Sequence, residues 1–418
     1  MRSDPTERNP TMHVVFVEPR FPGNQADFVR GLKDVGAEVS SVGEAPAESL
    51  GLKLRSWLTH YRQVGSVVDE AALGPAVQSI HGVAPVDRLE ATVEAHILPV
   101  ARVRETLGIP GTSVRTSYLC RDKPAMKEAL REAGIATARS TGSGDRGEIL
   151  AFAREVGYPL ILKPRAAAGA SGTYRVDSDA ELEGLLPGLG VGRGAEVAVE
   201  EFVDGHEAFY DTITVGGRIA HDFITHYYPN VLEAMRTRWI SPQFITTNRI
   251  DTAEAYCEVR EMGRRVNEAL GVDTSATHME WFYGEKGLKF SEIGCRPPGV
   301  RAWDLYSAGN GIDLYREWAS CVVHGRPERQ ASRRFSAGIV TLRPECDGRI
   351  SGYEGVDEIE ARFGEWVIDR HLPPPGTPTQ PVEAGYMANA WMRLRHPDFD
   401  ELRRMLAAVG ETVRVRAA

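Results

Sequence analysis

Glu280 and Glu292 each stand in a run that is otherwise largely apolar or aromatic, HMEWFY and LKFSEI, and Gly284-Glu285-Lys286-Gly287 lies between the two runs. This is the pattern of a β-hairpin with a short glycine-containing turn. Side chains alternate faces along a strand, so Glu280 and Phe282 share one face while Met279 and Trp281 take the other. Paired across the hairpin, the two glutamates converge on one spot. Like charges at short range repel unless a cation lies between them. Carboxylate oxygens suit Mg²⁺, which takes one or two carboxylates and fills its octahedron with substrate phosphate. Mn²⁺ is an alternative for such ligands. Arg296 follows, held by Pro297-Pro298-Gly299, and a guanidinium there complements a phosphate or a carboxylate. Two glutamates at this spacing also occur on solvated hairpin faces, so residues upstream must decide.

Lys163 ends the strand-like run YPLILKP. A lysine among apolar neighbours needs a counter-charge, and a nucleotide phosphate is one candidate. The small-residue stretch Ala166 to Gly172, AAAGASG, comes next, and backbone N–H groups in such a stretch can wrap an anion. It is not a P-loop, because no G-x-x-x-x-G-K followed by Ser or Thr is present. Asp122 to Ala133, DKPAMKEALREA, is expected as a helix with Asp122 as N-cap and Gly134 closing it. Lys123 and Lys127 share one face of it, where lysines are usually just solvated.

These residues need a scaffold, and the length bounds it. The chain has 418 residues, 42% hydrophobic and 26% charged, which fits a globular protein of two to four domains. A formal net charge of -9 and a pI near 5.8 imply no basic surface for nucleic acid. No apolar run approaches the roughly 20 residues of a membrane span, and the polar start MRSDPTERNPT is no secretory signal. Residues 1–11 are expected to be a disordered leader. The scattered Cys120, Cys257, Cys295, Cys321 and Cys346 read as reduced thiols of a cytoplasmic protein, most of them buried.

Residues 12–118 alternate strand and helix patterns, as a Rossmann-like parallel α/β domain would. The expected elements include helix over Leu50 to Gly65, short β-structure at Ser66 to Val68 and a strand at Val83 to Val86. The domain lacks G-x-G-x-x-G after its first strand, so dinucleotide binding is unsupported. Residues 119–330 hold the chemistry-bearing runs, with Tyr227 to Thr247 read as one long functional loop. Residues 331–418 change to short strands, turns and a last helix, a small C-terminal α+β domain.

The order of features is more specific than any one of them. Helix lysine, strand lysine, small-residue loop, VEEFVDGHE over Val199 to Glu207, then two acids across a hairpin ending in EIGCRPPG: this resembles the ATP-grasp superfamily over about Met12 to His324. The tail resembles that of the L-amino-acid ligases. The resemblance implies an ATP-grasp fold whose two subdomains clamp ATP, and an enzyme that activates a carboxylate as an acyl phosphate. Lys123 and Lys163 would touch the α- and β-phosphates, and Ala170, Ser171 and Gly172 would close over them. Glu200 would accept from the adenine amino group. Glu201, Phe202 and Val203 would line the purine edge, and Glu207 would hold the ribose. Glu280 and Glu292 would ligate the magnesium ions, and Arg296 would meet the transferring phosphoryl group. One position departs from the family: many members have Asn two residues after the second metal glutamate, where this chain has Gly294.

The expected activity is an ATP-dependent carboxylate–amine ligase acting on small-molecule acids and amines. The alternatives are a biotin carboxylase-like or purine-pathway ATP-grasp enzyme, and a non-catalytic ATP-binding module. Arg301 is the leading candidate for a substrate carboxylate, ahead of Arg249 and Arg238. Tyr227, Tyr228, Trp239 and Trp303 are expected to line the substrate pocket. His278, His226 and His221 are expected to be structural or to touch substrate. The tail domain could serve a homodimer.

Overall fold

A computed structural model of the chain describes residues 11–165, 172–382 and 389–418. Most of the expected leader, the small-residue stretch from Ala166 to Ser171, which includes Ala170, and residues 383–388 of the C-terminal part lie outside these residues. The first strands, β1 (His13–Val17), β2 (Glu38–Gly43), β3 (Tyr61–Gln63) and β4 (Arg88–Glu90), form a parallel sheet in the order β3-β2-β1-β4. Every residue of β1 is buried, as a parallel strand covered on both faces requires. The helices α1 (Gln25–Asp34), α2 (Leu52–Trp57), α3 (Glu70–His81) and α4 (Glu94–Leu107) connect and flank these strands.

Three expectations shift here. The helix expected to Gly65 ends at Trp57, and Tyr61–Gln63 pair with β2 instead. An edge strand of three residues carries no period to read. Ser66 to Val68 is not a strand, and the strand expected at Val83 to Val86 begins at Arg88. Pro85 has no N–H to give a ladder, and the Val86 N–H donates to His81 Nδ1 at 3.1 Å.

After α5 (Val114–Leu119) and α6 (Lys123–Glu132) comes a small antiparallel sheet of β5 (Ser140–Ser143), β6 (Leu160–Pro164), β7 (Tyr174–Val176) and β8 (Val197–Glu201), ordered β5-β8-β6-β7. With α7 (Arg146–Val156) and α8 (Asp179–Leu185) it closes its own core around Ile149, Leu162, Leu182 and Val199. Asp122 caps α6 by accepting from the Ala125 N–H at 3.0 Å, as its position predicts. Its carboxylate also takes Arg165 Nε and Nη2 at 3.0 and 2.9 Å, which fixes the start of α6 beside the end of β6.

The remaining strands are β9 (His206–Val215), β10 (Arg218–Tyr228), β11 (Gln243–Thr246), β12 (Ser275–Gly284), β13 (Gly287–Gly294), β14 (Ser336–Leu342), β15 (Ile350–Glu354), β16 (Val367–His371), β17 (Ala390–His396) and β18 (Arg414–Ala417). Eight of them form one antiparallel sheet, β13-β12-β9-β10-β11-β14-β17-β16, and β15 pairs with β18. The C-terminal strands β14, β17 and β16 thus extend the sheet that carries the glutamate hairpin. Around it pack α9 (Val231–Ala234), α10 (Cys257–Leu270), α11 (Ala302–Asn310), α12 (Leu314–His324), α13 (Val356–Phe363) and α14 (Phe399–Thr412).

Tyr227 to Thr247 is not one loop. Tyr227 and Tyr228 end β10, α9 follows, and β11 returns in register with Thr225↔Thr246 and Tyr228↔Gln243. The Thr residues that look loop-like are β-competent when the ladder takes their backbone and the core takes their side chains. Phe244 and Ile245 have no exposed surface, and Thr246 has 4%.

Candidate active site

A cavity of about 1250 Å³ opens between the small sheet, the large sheet and the N-terminal parallel layer. Pockets for one small ligand are typically about 300–1,000 Å³, so this cavity is larger than one such ligand needs. Lys123, Lys163, Glu200, Glu201, Phe202, Val203, Glu207, Glu280, Glu292, Arg296 and Arg301 all line it. Gly172 is described but is not among the lining residues, and the expected partners Ala170 and Ser171 lie outside the described residues.

The lysines form the cationic wall. Lys127, one turn after Lys123 on α6, has no exposed side-chain surface and sets its Nζ 2.6 Å from Glu200 Oε2. This corrects the expectation of a solvated lysine face. Lys163 on β6 lies 2.9 Å from the same oxygen and 3.7 Å from Glu292 Oε2, and Lys123 lies 3.4 Å from Glu292 Oε2. Burial lowers the Lys127 ammonium to about 8, with Glu200 partly restoring it. For Lys163 burial works the same way, but Glu200 and Glu292 outweigh it and the pKa rises. For Glu200 burial favours the neutral acid, yet Lys127 and Lys163 hold it below the usual range. Removing charges from water costs several kcal/mol each unless partners compensate, and here each charge has one.

The hairpin places its carboxylates as the alternation predicts. Glu280 lies directly opposite Glu292, while Met279 and Trp281 are buried in the core. The register then shifts by one, so that Trp281 pairs with Phe290 and Ser291 is the extra residue. Such a bulge re-aims side chains: Phe290 stays fully buried beside Trp281 while Glu292 faces the cavity. Close backbone contact holds the hairpin turn. A Cβ at Gly284 would stand 2.3 Å from the Asp204 carbonyl oxygen, and one at Gly205 2.6 Å from the Tyr283 carbonyl oxygen. Only glycine fits either side.

His278, two residues before Glu280 and expected to be structural or to touch substrate, lines the cavity. Its Nδ1 is 2.7 Å from Asp211 Oδ1 and its Nε2 3.6 Å from Glu280 Oε1. Tyr306 donates to the other Asp211 oxygen. Burial works against the charged ring, but Asp211 outweighs it and raises His278 to about 9. No sequence spacing links Asp211, His278 and Tyr306, because three separate elements bring them together.

At the far end Glu200 Oε1 is buried and, among the described residues, has no hydrogen-bond partner. Such atoms are costly to leave unpaired, so an external donor belongs there. The Glu201 carboxylate points instead to Lys286 at 2.9 Å, and the ring of Phe202 lies under Arg175, 4.6 Å from its guanidinium. The Glu207 carboxylate accepts from the Val231 N–H at 2.6 Å. Burial, then the Glu280 charge, raise Glu207 to about 8.

Arg296 donates through Nε to Glu94 Oε2 at 2.8 Å, and Arg301 reaches Asp27 Oδ2 at 3.2 Å. Sequence reasoning offered no signal for either acid, since both come from helix starts in the N-terminal layer. Arg249 and Arg238 are not in the cavity wall; they pair with Asp400 at 2.8 Å and Asp347 at 2.7 Å. Of the four aromatics expected there, only Tyr227 lines it: Trp303 is core, Trp239 is 87% exposed and Tyr228 packs under the C-terminal strands. His226 is structural, between His206 and Tyr256 at 2.9 Å each.

An adenine nucleotide fits this donor set, because the orphaned Glu200 oxygen awaits a donor and Lys123 and Lys163 give the cavity wall a cationic stretch for phosphate. Among the described residues, no group of three or more His, Cys, Asp or Glu side chains could hold a metal alone. Two facing carboxylates are instead the donor set of a Mg²⁺ that takes its other oxygens from phosphate and water.

Fold and cavity together define a nucleotide-clamping enzyme, and comparisons with known proteins agree. The family model for the ATP-grasp domain matches residues 128–307. The L-arginine-specific L-amino acid ligase of Bacillus subtilis is 27% identical over 315 residues, 74% of this chain and 75% of that protein. The alanine–anticapsin ligase of Bacillus subtilis strain 168 is 27% identical over 214 residues, 46% of this chain and 44% of its own length. The crystal structure of an L-amino acid ligase from Bacillus licheniformis superposes with a TM-score of 0.77 over 98% of this chain and 99% of that one, at 16% identity. Residues 128–307 are thus an ATP-grasp domain, and the chain is similar to carboxylate–amine ligases that carry one. It is an ADP-forming ligase with the ATP-grasp fold. No helix among the described residues is long and apolar enough to cross a membrane.

Proposed function

We propose that the chain joins a small carboxylic acid, in the first place an amino acid, to an amine through an acyl phosphate, releasing ADP and phosphate. The observation that carries this reading is one cavity in which three lysines, two facing glutamates and Arg296 surround more space than one small ligand needs. The names of the relatives, an arginine-specific ligase and an alanine–anticapsin ligase, support an amino-acid substrate.

In this reading Glu200 Oε1 accepts from the adenine amino group, and the backbone near Val203 meets the purine edge. Glu207 takes the ribose hydroxyls. Lys123 and Lys163 neutralise the phosphates, with Lys127 keeping Glu200 ionised beside them. Glu280 and Glu292 would hold a Mg²⁺ ion, which when bound would supply neutralisation of phosphate charge. A substrate carboxylate oxygen attacks the γ-phosphorus, the bond to ADP breaks, and Arg296 holds the transferring group. The amine nitrogen then attacks the acyl carbon, phosphate leaves, and the nitrogen gives up a proton. Phosphoryl transfer asks for positioning and charge neutralisation rather than covalent catalysis, which matches the residues present.

Acyl phosphates hydrolyse readily, so the cavity must exclude water during turnover. The segment from Val231 to Arg236 lines the cavity, and Arg236 donates to the Thr173 carbonyl on the small subdomain at 3.1 Å. It serves as a lid between the two halves. The test is ADP release with Mg²⁺-ATP against a panel of amino acids, singly and in pairs, with hydroxylamine as a trapping amine. Acid-dependent release with hydroxamate formation is expected. Release only with bicarbonate or a nucleotide precursor, or ATP binding without turnover, would refute the reading.

A further inference from the structure

The departure at Gly294 has a physical counterpart in another domain. A Cβ built at Gly294 would stand 2.9 Å from Glu94 Oε2, 3.4 Å from Arg296 Cγ and 3.5 Å from Arg296 Nε. No side chain fits there while Glu94 stays where it is. Glu94 is the first residue of α4, in the N-terminal parallel layer, 202 positions before Arg296. Its Oε2 accepts from Arg296 Nε at 2.8 Å, and its Oε1 lies 3.6 Å from Arg121 Nη1. Arg121 also donates to the Glu94 carbonyl at 2.7 Å, which ties down the start of the helix. Arg296 Nη1 donates to the Pro297 carbonyl at 2.8 Å. Two of the three guanidinium nitrogens are therefore fixed on the protein. Among the described residues Nη2 has no hydrogen-bond partner, in a side chain that is 14% exposed and lines the cavity.

A guanidinium is a planar fork, and its value to a phosphoryl group depends on its orientation as much as its charge. We propose that Glu94 is the positioning residue for Arg296, and that position 294 is glycine because the Glu94 carboxylate occupies its side-chain space. The N-terminal layer thereby completes the phosphoryl end of the site. Asp27, in the first turn of α1, holds Arg301 in a similar way, at 3.2 Å. The catalytic half of the inference rests on the ligase reading above; the contact between Glu94 and position 294 does not.

The experiment is a double-mutant cycle on the full chain: Glu94→Ala, Gly294→Ala and the two combined, with Glu94→Gln as the conservative variant. Gly294 is not among the glycines with positive φ, so alanine meets no backbone penalty there and acts through Glu94. For ADP release with the accepted acid, each single alanine variant is expected to lower kcat about tenfold or more, with the KM for ATP within about twofold. The double variant should be no worse than either single one, and Glu94→Gln, which keeps an acceptor for Nε, should recover most of kcat. Thermal unfolding reads the contact without turnover: the Tm loss of Gly294→Ala should shrink when Glu94 is alanine. Additive losses in kcat and Tm would overturn the inference. So would thermal coupling with kcat unchanged, or a defect confined to the KM for ATP. If the wild type releases no ADP with any acid, the ligase reading fails by itself, and the thermal cycle still supports or overturns the contact.

Discussion

Glu292→Gln keeps the shape of the side chain and removes its charge. In the folded protein burial would raise the Glu292 carboxyl, but Lys123, Lys163 and Lys127 outweigh it and hold it at about 2, against an ordinary 4.5. That difference of about 2.5 units corresponds to roughly 3 kcal/mol of favourable interaction with the ionised form. The side chain is 23% exposed, so solvent screens little of it. A carboxyl depressed in the folded state contributes stability above its unfolded pKa and loses it as pH falls through the folded one. The variant should therefore be less stable at pH 7, by on the order of 3 kcal/mol, and the gap should narrow below about pH 4.5. Urea unfolding at pH 7 and pH 4 measures both. Function should respond in the opposite sense for the bare nucleotide. With one anion gone from beside Lys123 and Lys163, metal-free ATP should bind at least as well as to wild type. The tightening that Mg²⁺ brings, and ADP release, should be lost. Calorimetry with and without Mg²⁺ separates these effects. Near-normal ADP release, or unchanged tightening by Mg²⁺, would refute the assignment of Glu292.

Lys163→Ala should weaken ATP binding at least about tenfold, since a buried phosphate would lose a charge-assisted partner; an unchanged affinity by calorimetry would contradict its role. Glu207 is raised to about 8, first by burial and then by Glu280. The folded state holds its proton more tightly, so the wild type loses stability as pH rises from about 4.5 to 8. Glu207→Gln should therefore melt higher than wild type at pH 8 to 9, with no difference below about pH 4.5, while binding ATP more weakly. A melting curve parallel to wild type across that range would count against it. Arg236→Ala, which cuts the bridge to Thr173, should raise the ratio of ADP released to amide formed as water reaches the acyl phosphate. An unchanged ratio would remove Arg236 from the lid.

Much of the site was legible because it rests on local periodicity. The alternation of HMEWFY and LKFSEI around a glycine turn foretold which faces Glu280 and Met279 would take, and the pairing puts Glu280 directly against Glu292. Asp122 could be read as a cap because capping is local. What escaped depends on contacts between distant segments. Lys127 looked like any helix lysine, and only Glu200, on a strand of the small sheet, makes its burial tolerable. Glu94 and Asp27 looked like acids in a first helical turn, and only the docking of the N-terminal layer turns them toward Arg296 and Arg301. The bulge at Ser291 is likewise invisible to a period of two. Tyr227 to Thr247 misled in the other direction. Its polar letters suggested a loop, yet a ladder to β10 and β14 absorbs Gln243–Thr246.

The central claim is that the cavity makes an acyl phosphate. It is tested most directly by supplying the acid that supports ADP release with ¹⁸O in its carboxylate, together with Mg²⁺-ATP and the amine. Mass analysis of the phosphate released then follows the oxygen. The account predicts one ¹⁸O atom in each phosphate, because the carboxylate oxygen that attacks phosphorus leaves with it. Phosphate without label, alongside amide product, would contradict it.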